Sequence, residues 1–128
     1  MPLSHKVFLA QFDTIKKIAE EGPCVIVGRC ADYALAEMGK CISVFIHASF
    51  EDRMERISRK FPDEKDSANI KDMIIKTDKA RANYYNYYSS KKWGRAESYD
   101  LCVNSSVLGI DGTVDVIADF IDRKELKS

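Results

Sequence analysis

Three short apolar runs constrain the fold of this chain more than any other feature. Cys24 to Val27 is a continuous, largely β-branched run that ends at Gly28, a pattern typical of a strand covered on both faces in a parallel sheet. Cys41 to Ala48 predicts a second strand, and Tyr99 to Asn104 predicts a third. Because a helical pattern follows each run, we expect an α/β fold in which right-handed crossovers join parallel strands.

Apolar residues that recur at helical spacing predict five helices. They span about residues 4–21, 31–37, 50–61, 69–88 and 111–124. Ser4 is a candidate N-cap of the first helix, and Ser49 opens the S-x-x-[DE] pattern of a helix start. The residues of the last helix expected to face the core are Val114, Ile117, Ala118 and Ile121. We expect the polar stretch at about residues 61–69 to be a mobile, lid-like segment within a single domain.

Composition excludes two classes of function. The chain has 128 residues with 20 basic and 20 acidic side chains, so it lacks the strong basic field that nonspecific nucleic-acid binding or attraction to an anionic membrane requires. Its apolar runs are far shorter than the roughly 20 residues of a bilayer span, and its N-terminus has no apolar signal core. We therefore expect a cytoplasmic protein without nucleic-acid or membrane partners.

The four cysteines do not form a metal-binding pattern. Cys24, Cys30, Cys41 and Cys102 contain no C-x-x-C pair and have no histidine at zinc spacing. We therefore predict no metal site. Cys24, Cys41 and Cys102 lie in or beside the strand-like runs, where we expect them to pack as small hydrophobic residues.

The loop after the first predicted strand carries the first candidate binding residues. Ligands of open parallel sheets bind beyond the carboxyl ends of the strands, because loops and helix N-termini converge there. Gly28 permits a tight turn, and Arg29 offers a planar fork suited to phosphate or carboxylate. The alternative is an ordinary surface arginine, with Asp32 capping the helix that follows.

The helix after the second predicted strand has a basic side. Arg53, Arg56 and Lys60 share that side, while the apolar residues occupy another. Such a side could close over phosphate groups. The alternative is a solvated basic face, which is the commoner property of an amphipathic helix.

The long fourth helix carries a second candidate group. Asp78 and Arg81 stand three residues apart and project together, near Tyr85 one turn further on. They form either part of a binding site or a simple i,i+3 ion pair. Four tyrosines, Tyr84, Tyr85, Tyr87 and Tyr88, could stack on a base, but they cover most of the helix circumference, so at least two are expected to pack inside the protein.

Some catalytic motifs are missing from the sequence. The six glycines form neither a G-x-x-x-x-G-K-[ST] nor a G-x-G-x-x-G pattern, so no phosphate-cradling loop is assigned. His5 and His47 accompany no nucleophile-elbow motif, which leaves a hydrolytic triad without support.

Several segments taken together resemble the cytidylate kinase-like family of P-loop kinases. They are GPCVIVGRCADY at 22–33, VFIHA at 44–48 followed by EDR at 51–53, KTDKARANYY at 76–85, KKWG at 91–94 and YDLCVN at 99–104. The resemblance spans nearly the whole chain. It implies a P-loop kinase-like fold, with a three-layer parallel sheet flanked by helices. It also implies phosphoryl transfer from ATP, with Mg²⁺, to a nucleoside monophosphate such as cytidylate.

The resemblance also implies roles for individual residues. Arg29 would lie near the acceptor nucleotide, and Asp78 and Arg81 match the D-x-x-R element that grips it. Arg53 and Arg56 fall where the lid region begins and are the catalytic candidates, because phosphoryl transfer depends on cationic groups that neutralise phosphate oxygens. The remaining substrate-binding candidates are Asp32 and Tyr85.

Two positions depart from the family pattern. Cytidylate kinases show Gly-Arg-Asp where Cys30 follows Arg29 in this chain, and the acid appears here as Asp32. They also carry an arginine near the position of Ile74. These departures leave the identity of the preferred base open.

The resemblance places the family's first strand and glycine-rich loop before the segment at which this chain begins. That strand would lie between the runs at 24–27 and 44–47, so its absence leaves two edges facing a gap. Unpaired backbone groups at such edges cost on the order of 1 to 3 kcal/mol each. We expect repair by direct pairing of the two remaining strands, by a strand from a second copy, or by a missing N-terminal segment.

Two functional interpretations follow, beside a third in which the chain is a purely structural remnant. In the first, the chain is part of a truncated nucleoside monophosphate kinase that is inactive without its phosphate-binding loop, so ATP and Mg²⁺ belong to the family but are held poorly by this chain. In the second, it is a non-catalytic nucleotide-binding or oligomeric interaction module.

Overall fold

The computed structural model describes residues 2–127. Its helices are α1 (Leu3–Glu21), α2 (Ala31–Ala34), α3 (Phe50–Lys60), α4 (Ser67–Ser89) and α5 (Ser105–Lys127), and its strands are β1 (Val44–His47) and β2 (Leu101–Asn104). Short 3₁₀ turns lie at Ala36–Met38 and Ala96–Ser98. The result is a mixed α/β structure, as the sequence predicts.

The sheet of residues 2–127 has two parallel strands. Val44 pairs with Leu101 at one end, and His47 pairs with Asn104 at the other. The parallel arrangement is confirmed, but the predicted strand at 24–27 is wrong. That segment is unpaired, and its side chains Val25 and Val27 are 93% and 88% exposed. A β-branched run becomes a strand only where a neighbour accepts its backbone hydrogen bonds, and β1 is not beside it. Direct pairing of the runs at 24–27 and 44–47, one of the expected arrangements, therefore does not occur within residues 2–127.

The ends of the helices follow local capping. Ser49 caps α3 as predicted, because its Oγ accepts a hydrogen bond from the Asp52 N–H at 3.1 Å. Asp66 caps α4 in the same way and starts that helix two residues earlier than expected. The prediction of Ser4 as a cap is wrong, since α1 begins at Leu3 and Pro2 occupies the N-cap position, where its carbonyl accepts the Lys6 N–H at 3.2 Å.

Helix α5 begins directly after β2 and is interrupted at Gly109. That glycine has φ 73° and ψ 176°, a combination that glycine adopts readily. Beyond it Ile117 and Ile121 are partly buried, but Val114 is 57% exposed and Ala118 is also exposed, so their predicted burial is wrong. A sheet of two strands offers a narrow surface, which leaves part of the apolar face of α5 uncovered.

The core consists of two clusters of buried residues. One joins α1 to α2 through Ile15, Ala34 and Leu35. The other joins α1, the turn before α2, and α4 through Phe8, Cys30 and Tyr85. Cys24 is exposed, so its predicted core position is wrong, whereas Cys41 and Cys102 are partly buried. None of the helices described is both long enough and apolar enough to cross a membrane.

Candidate functional site

Asp78 joins the two helices that follow β1. Its Oδ2 accepts a hydrogen bond from Arg53 Nη2 at 2.5 Å, so a carboxylate on α4 holds an arginine of α3. Arg81, one turn along α4, places Nη1 3.8 Å from Asp78 Oδ1. The structure thus brings together three of the predicted site residues, Arg53, Asp78 and Arg81. Since 61% of the Arg81 side chain is exposed, its guanidinium is available to an anion in solvent.

One oxygen of this carboxylate lacks a hydrogen bond. Asp78 Oδ1 is buried, and residues 2–127 provide it with no hydrogen-bond donor. The 3.8 Å separation from Arg81 is an ion pair and too long for a hydrogen bond. A buried acceptor without a hydrogen bond costs about 1 to 3 kcal/mol, and the attraction of the Arg81 guanidinium offsets part of that cost.

Arg56 does not join this cluster. It is exposed on α3, and within residues 2–127 the structure gives it no hydrogen bond and no ion pair. The basic side of α3 is therefore divided, with Arg53 engaged by Asp78 and Arg56 in solvent. The expected catalytic role of Arg56 stays a prediction.

Arg29 lies in a left-handed turn. Gly28, Arg29 and Cys30 have φ values of 72°, 58° and 54° in succession. The left-handed conformation costs a non-glycine residue about 1 to 2 kcal/mol, so this short turn stores strain at two positions. Its geometry leaves the Arg29 side chain exposed. Backbone strain of this kind concentrates at functional sites and persists only where surrounding contacts hold it.

The charge of Arg29 acts on Tyr84 of α4. Burial raises the pKa of the Tyr84 hydroxyl, and the nearby charge of Arg29 opposes that shift. Tyr84 stands three residues after Arg81, on the same side of α4. The charge of Arg29 therefore reaches the side of α4 that carries Tyr84.

Asp32 and Tyr85 contact each other. The Tyr85 hydroxyl donates to Asp32 Oδ2 at 2.7 Å, and the Asp32 Oδ1 accepts the Tyr33 N–H at 2.8 Å. Ser43, the residue before β1, also donates to Oδ2 at 3.4 Å. Asp32 is the second residue of α2 and does not cap it, because the cap position belongs to Cys30. Both predicted substrate-binding side chains are thus occupied by internal contacts.

The same contacts shift two ionisable groups. Burial, followed by the hydrogen bond to Asp32, raises the pKa of Tyr85. Burial and the charge of Asp32 raise the pKa of the Cys30 thiol to about 11. Both groups are therefore neutral at physiological pH and act here through packing and hydrogen bonding.

A polar cavity of about 230 Å³ lies next to this pair. Its lining includes Asp32, Ser43, Lys91 and Asp100. Ser43 and Asp100 immediately precede β1 and β2, and the Ser43 N–H donates to Asp100 Oδ2 at 2.8 Å. The cavity is therefore at the amino ends of the strands, opposite the edge where parallel sheets usually bind ligands.

Three of the four tyrosines of α4 pack inside the protein. Tyr85 is buried, and Tyr84 and Tyr88 pack against the cluster of Phe8 and Cys30. Tyr88 stacks on Phe8 with ring centroids 3.8 Å apart. Tyr87 is 75% exposed. The prediction that at least two tyrosines pack is confirmed.

Two features of the site were not predicted. Arg53 is 25 residues from Asp78 in the sequence, so no helical spacing indicates the pair. Cys30 replaces an expected acidic residue and lies buried against Tyr85, and its apolar character is the signal that could have predicted burial. Ile74, also a departure from the family pattern, is buried on α4.

Comparison with known proteins identifies the family. Residues 1–107 match the sequence profile of the cytidylate kinase-like family. The chain belongs to the cytidylate kinase-like family. A crystal structure of an uncharacterized protein from Eubacterium ventriosum is similar, with a TM-score of 0.86 and 32% sequence identity over 94% of this chain and 74% of the other. A search of curated proteins finds no match.

Membership of the cytidylate kinase-like family indicates nucleotide and Mg²⁺ dependence in general. Residues 2–127 show no site built for an ATP–Mg²⁺ complex. The sequence contains no glycine-rich loop for the triphosphate. Within residues 2–127, no three His, Cys, Asp or Glu side chains are grouped to hold a metal ion.

Proposed function

We propose that this chain binds a nucleoside monophosphate as the acceptor part of a cytidylate-kinase-like domain. The observation that carries the proposal is Asp78. One of its oxygens fixes Arg53, and the other is buried, unbonded and beside the exposed Arg81. A nucleotide offers the complement to this arrangement, because its phosphate pairs with an exposed guanidinium that a carboxylate holds in place.

Arg29 supplies a further cation to the same ligand. It is exposed, it lies in a strained turn, and its charge reaches Tyr84 on α4. Cationic groups that converge on a phosphate position it and stabilise developing charge on its oxygens. In this arrangement Arg81 and Arg29 bind the phosphate, while Asp78 holds Arg53 and Arg81 in position.

Calorimetric titration with cytidine monophosphate tests the proposal. Replacing Arg81 by alanine should weaken binding by about 1.5 to 3 kcal/mol, because a charge-assisted hydrogen bond is lost. The same loss is expected for Arg29→Ala. Arg123→Ala is the matched control, since Arg123 also pairs with a carboxylate on its own helix, Asp119 at 2.8 Å, but belongs to α5. No binding by the unaltered chain, or equal affinity for all three variants, would contradict the proposal.

A second function, a non-catalytic nucleotide-binding module, is favoured by the missing glycine-rich loop. An assay of phosphoryl transfer from ATP to cytidine monophosphate tests this second function, because turnover would exclude it. Binding of the monophosphate without turnover by the chain alone agrees with a module or with an incomplete kinase. Turnover by the chain alone would establish a complete kinase and exclude the module.

A further inference from the structure

The left-handed turn at Gly28, Arg29 and Cys30 needs a restraint. Only the first of these three residues is a glycine, and the other two have φ values of 58° and 54°. Such a backbone relaxes unless contacts on either side hold it. Within the turn, the Ala31 N–H donates to the Gly28 carbonyl at 3.2 Å. At its end, the Ala34 N–H donates to the Cys30 carbonyl at 3.1 Å, and contacts with α4 add to these local bonds.

Tyr85 contacts the last residue of this turn and the helix that follows it. Its ring packs against Cys30, which is 5% exposed, and its hydroxyl donates to Asp32 at 2.7 Å. Cys30 and Asp32 flank Ala31, so the ring and the hydroxyl of Tyr85 both contact the start of α2. The short hydrogen bond has a carboxylate as its acceptor, which makes it one of the stronger kinds.

Tyr85 also belongs to the helix that carries the phosphate candidate Arg81. The two residues are four positions apart on α4, about 6 Å along the helix axis. A helix is stiff over one turn. Because Tyr85 contacts the residues next to Arg29 and shares α4 with Arg81, it fixes the turn that carries Arg29 relative to the helix that carries Arg81. Asp32 and Tyr85 thus link the two arginines without touching the ligand.

We propose that the Asp32–Tyr85 hydrogen bond is a positioning contact, which holds the Gly28–Cys30 turn in its left-handed form and so sets where Arg29 meets the monophosphate. The inference rests on the proposed function for its ligand. In this proposal Asp32 and Tyr85 position Arg29, whereas the family resemblance implies that they bind the substrate themselves.

The decisive variant is Tyr85→Phe, which removes the hydroxyl and keeps the ring against Cys30. We expect Arg29 and Cys30 to leave the left-handed region, as measured by NMR from scalar couplings and chemical shifts, and affinity for cytidine monophosphate to fall about tenfold, the worth of one hydrogen bond. Tyr84→Phe is the matched control on the same helix, because the Tyr84 hydroxyl donates to Gln11 at 3.4 Å and not to Asp32.

Asp32→Asn and Asp32→Ala form a second pair of variants. Asparagine keeps an oxygen that accepts from the Tyr85 hydroxyl, so it should restore part of the left-handed turn and of the affinity that alanine removes. A merely structural role would lower thermal stability in all these variants without changing the φ angles of Arg29 and Cys30. Unchanged angles in both Tyr85→Phe and Asp32→Ala would overturn the inference.

The two proposals fail in different ways. If the unaltered chain binds no nucleotide, the proposed function fails, whereas the NMR measurement still decides whether the hydrogen bond holds the turn. If the unaltered chain binds cytidine monophosphate and Tyr85→Phe binds it equally well with the turn intact, the positioning role alone fails.

Discussion

Cys30 combines a left-handed backbone, a buried thiol and a carboxylate two residues away. Burial and Asp32 raise its pKa to about 11, above its ordinary value of 9.0. The thiol therefore keeps its proton in the folded chain at pH values where the unfolded chain loses it. Its contribution to stability is complete below pH 9 and disappears as the pH rises towards 11.

This difference predicts an alkaline loss of stability that depends on Cys30. The free energy of unfolding, measured with urea from about pH 8 to about pH 11, should fall with pH in the unaltered chain and fall less steeply in Cys30→Ala. Cys24→Ala, which alters an exposed cysteine, should keep the original slope. Equal slopes for the two variants would contradict the assignment.

The ion pairs of Asp78 with Arg53 and Arg81 show which side-chain contacts can be predicted from a sequence. The spacing of Asp78 and Arg81 predicts their i,i+3 pair, and the structure has it at 3.8 Å. The shorter contact joins Asp78 to Arg53 across 25 residues, and it depends on how α3 packs against α4. Side-chain pairs within one helix follow from periodicity, but pairs between helices require the tertiary arrangement.

At the scale of the element, the start of α4 depends on Asp66. Its Oδ1 accepts the Ala68 N–H at 2.9 Å, which satisfies one of the free donors of the first turn. Asp66→Ala should therefore lower the free energy of unfolding by about 1 kcal/mol, as measured by urea denaturation. Asp63→Ala, an exposed aspartate of the same connection, should change stability much less. An equal decrease in the free energy of unfolding in both variants would show that the negative charge of the connection, and not capping of α4, is what stabilises it.

Helices of this chain were easier to predict than strands for a physical reason. Helix hydrogen bonds and caps are local, so Ser49 and the apolar spacing of α3 and α4 contain the necessary information. A strand also needs a partner, and the partner is set by the whole fold. The β-branched run at 24–27 has the intrinsic preference of a strand, yet no strand lies beside it in residues 2–127.

At the scale of the whole molecule, this unpaired run and the open edge of β1 predict self-association. Each edge offers free backbone donors and acceptors to a second copy, and neither the run nor Val44 to Ile46 carries a charge to prevent pairing. We expect concentration-dependent oligomers in sedimentation velocity experiments. Assembly would hide the exposed Val25 and Val27.

A double substitution of Val25 and Val27 by lysine should shift the sedimentation profile to the monomer, because charge on an edge opposes strand pairing. Val107→Lys is a matched control, since Val107 is 75% exposed in α5 and its replacement should leave the oligomers intact. A chain that stays monomeric at every concentration would contradict this expectation.

Cys24 places a reactive thiol at the start of the unpaired run. It is the exposed member of the four cysteines, whereas Cys30 is buried and Cys41 and Cys102 are partly buried. A thiol-directed label therefore reacts first beside Val25, and its rate of attachment records how much of that surface remains open to solvent. Any polypeptide that covers the run, whatever its source, would slow the reaction, so the rate of labelling at Cys24 measures how far the run is covered.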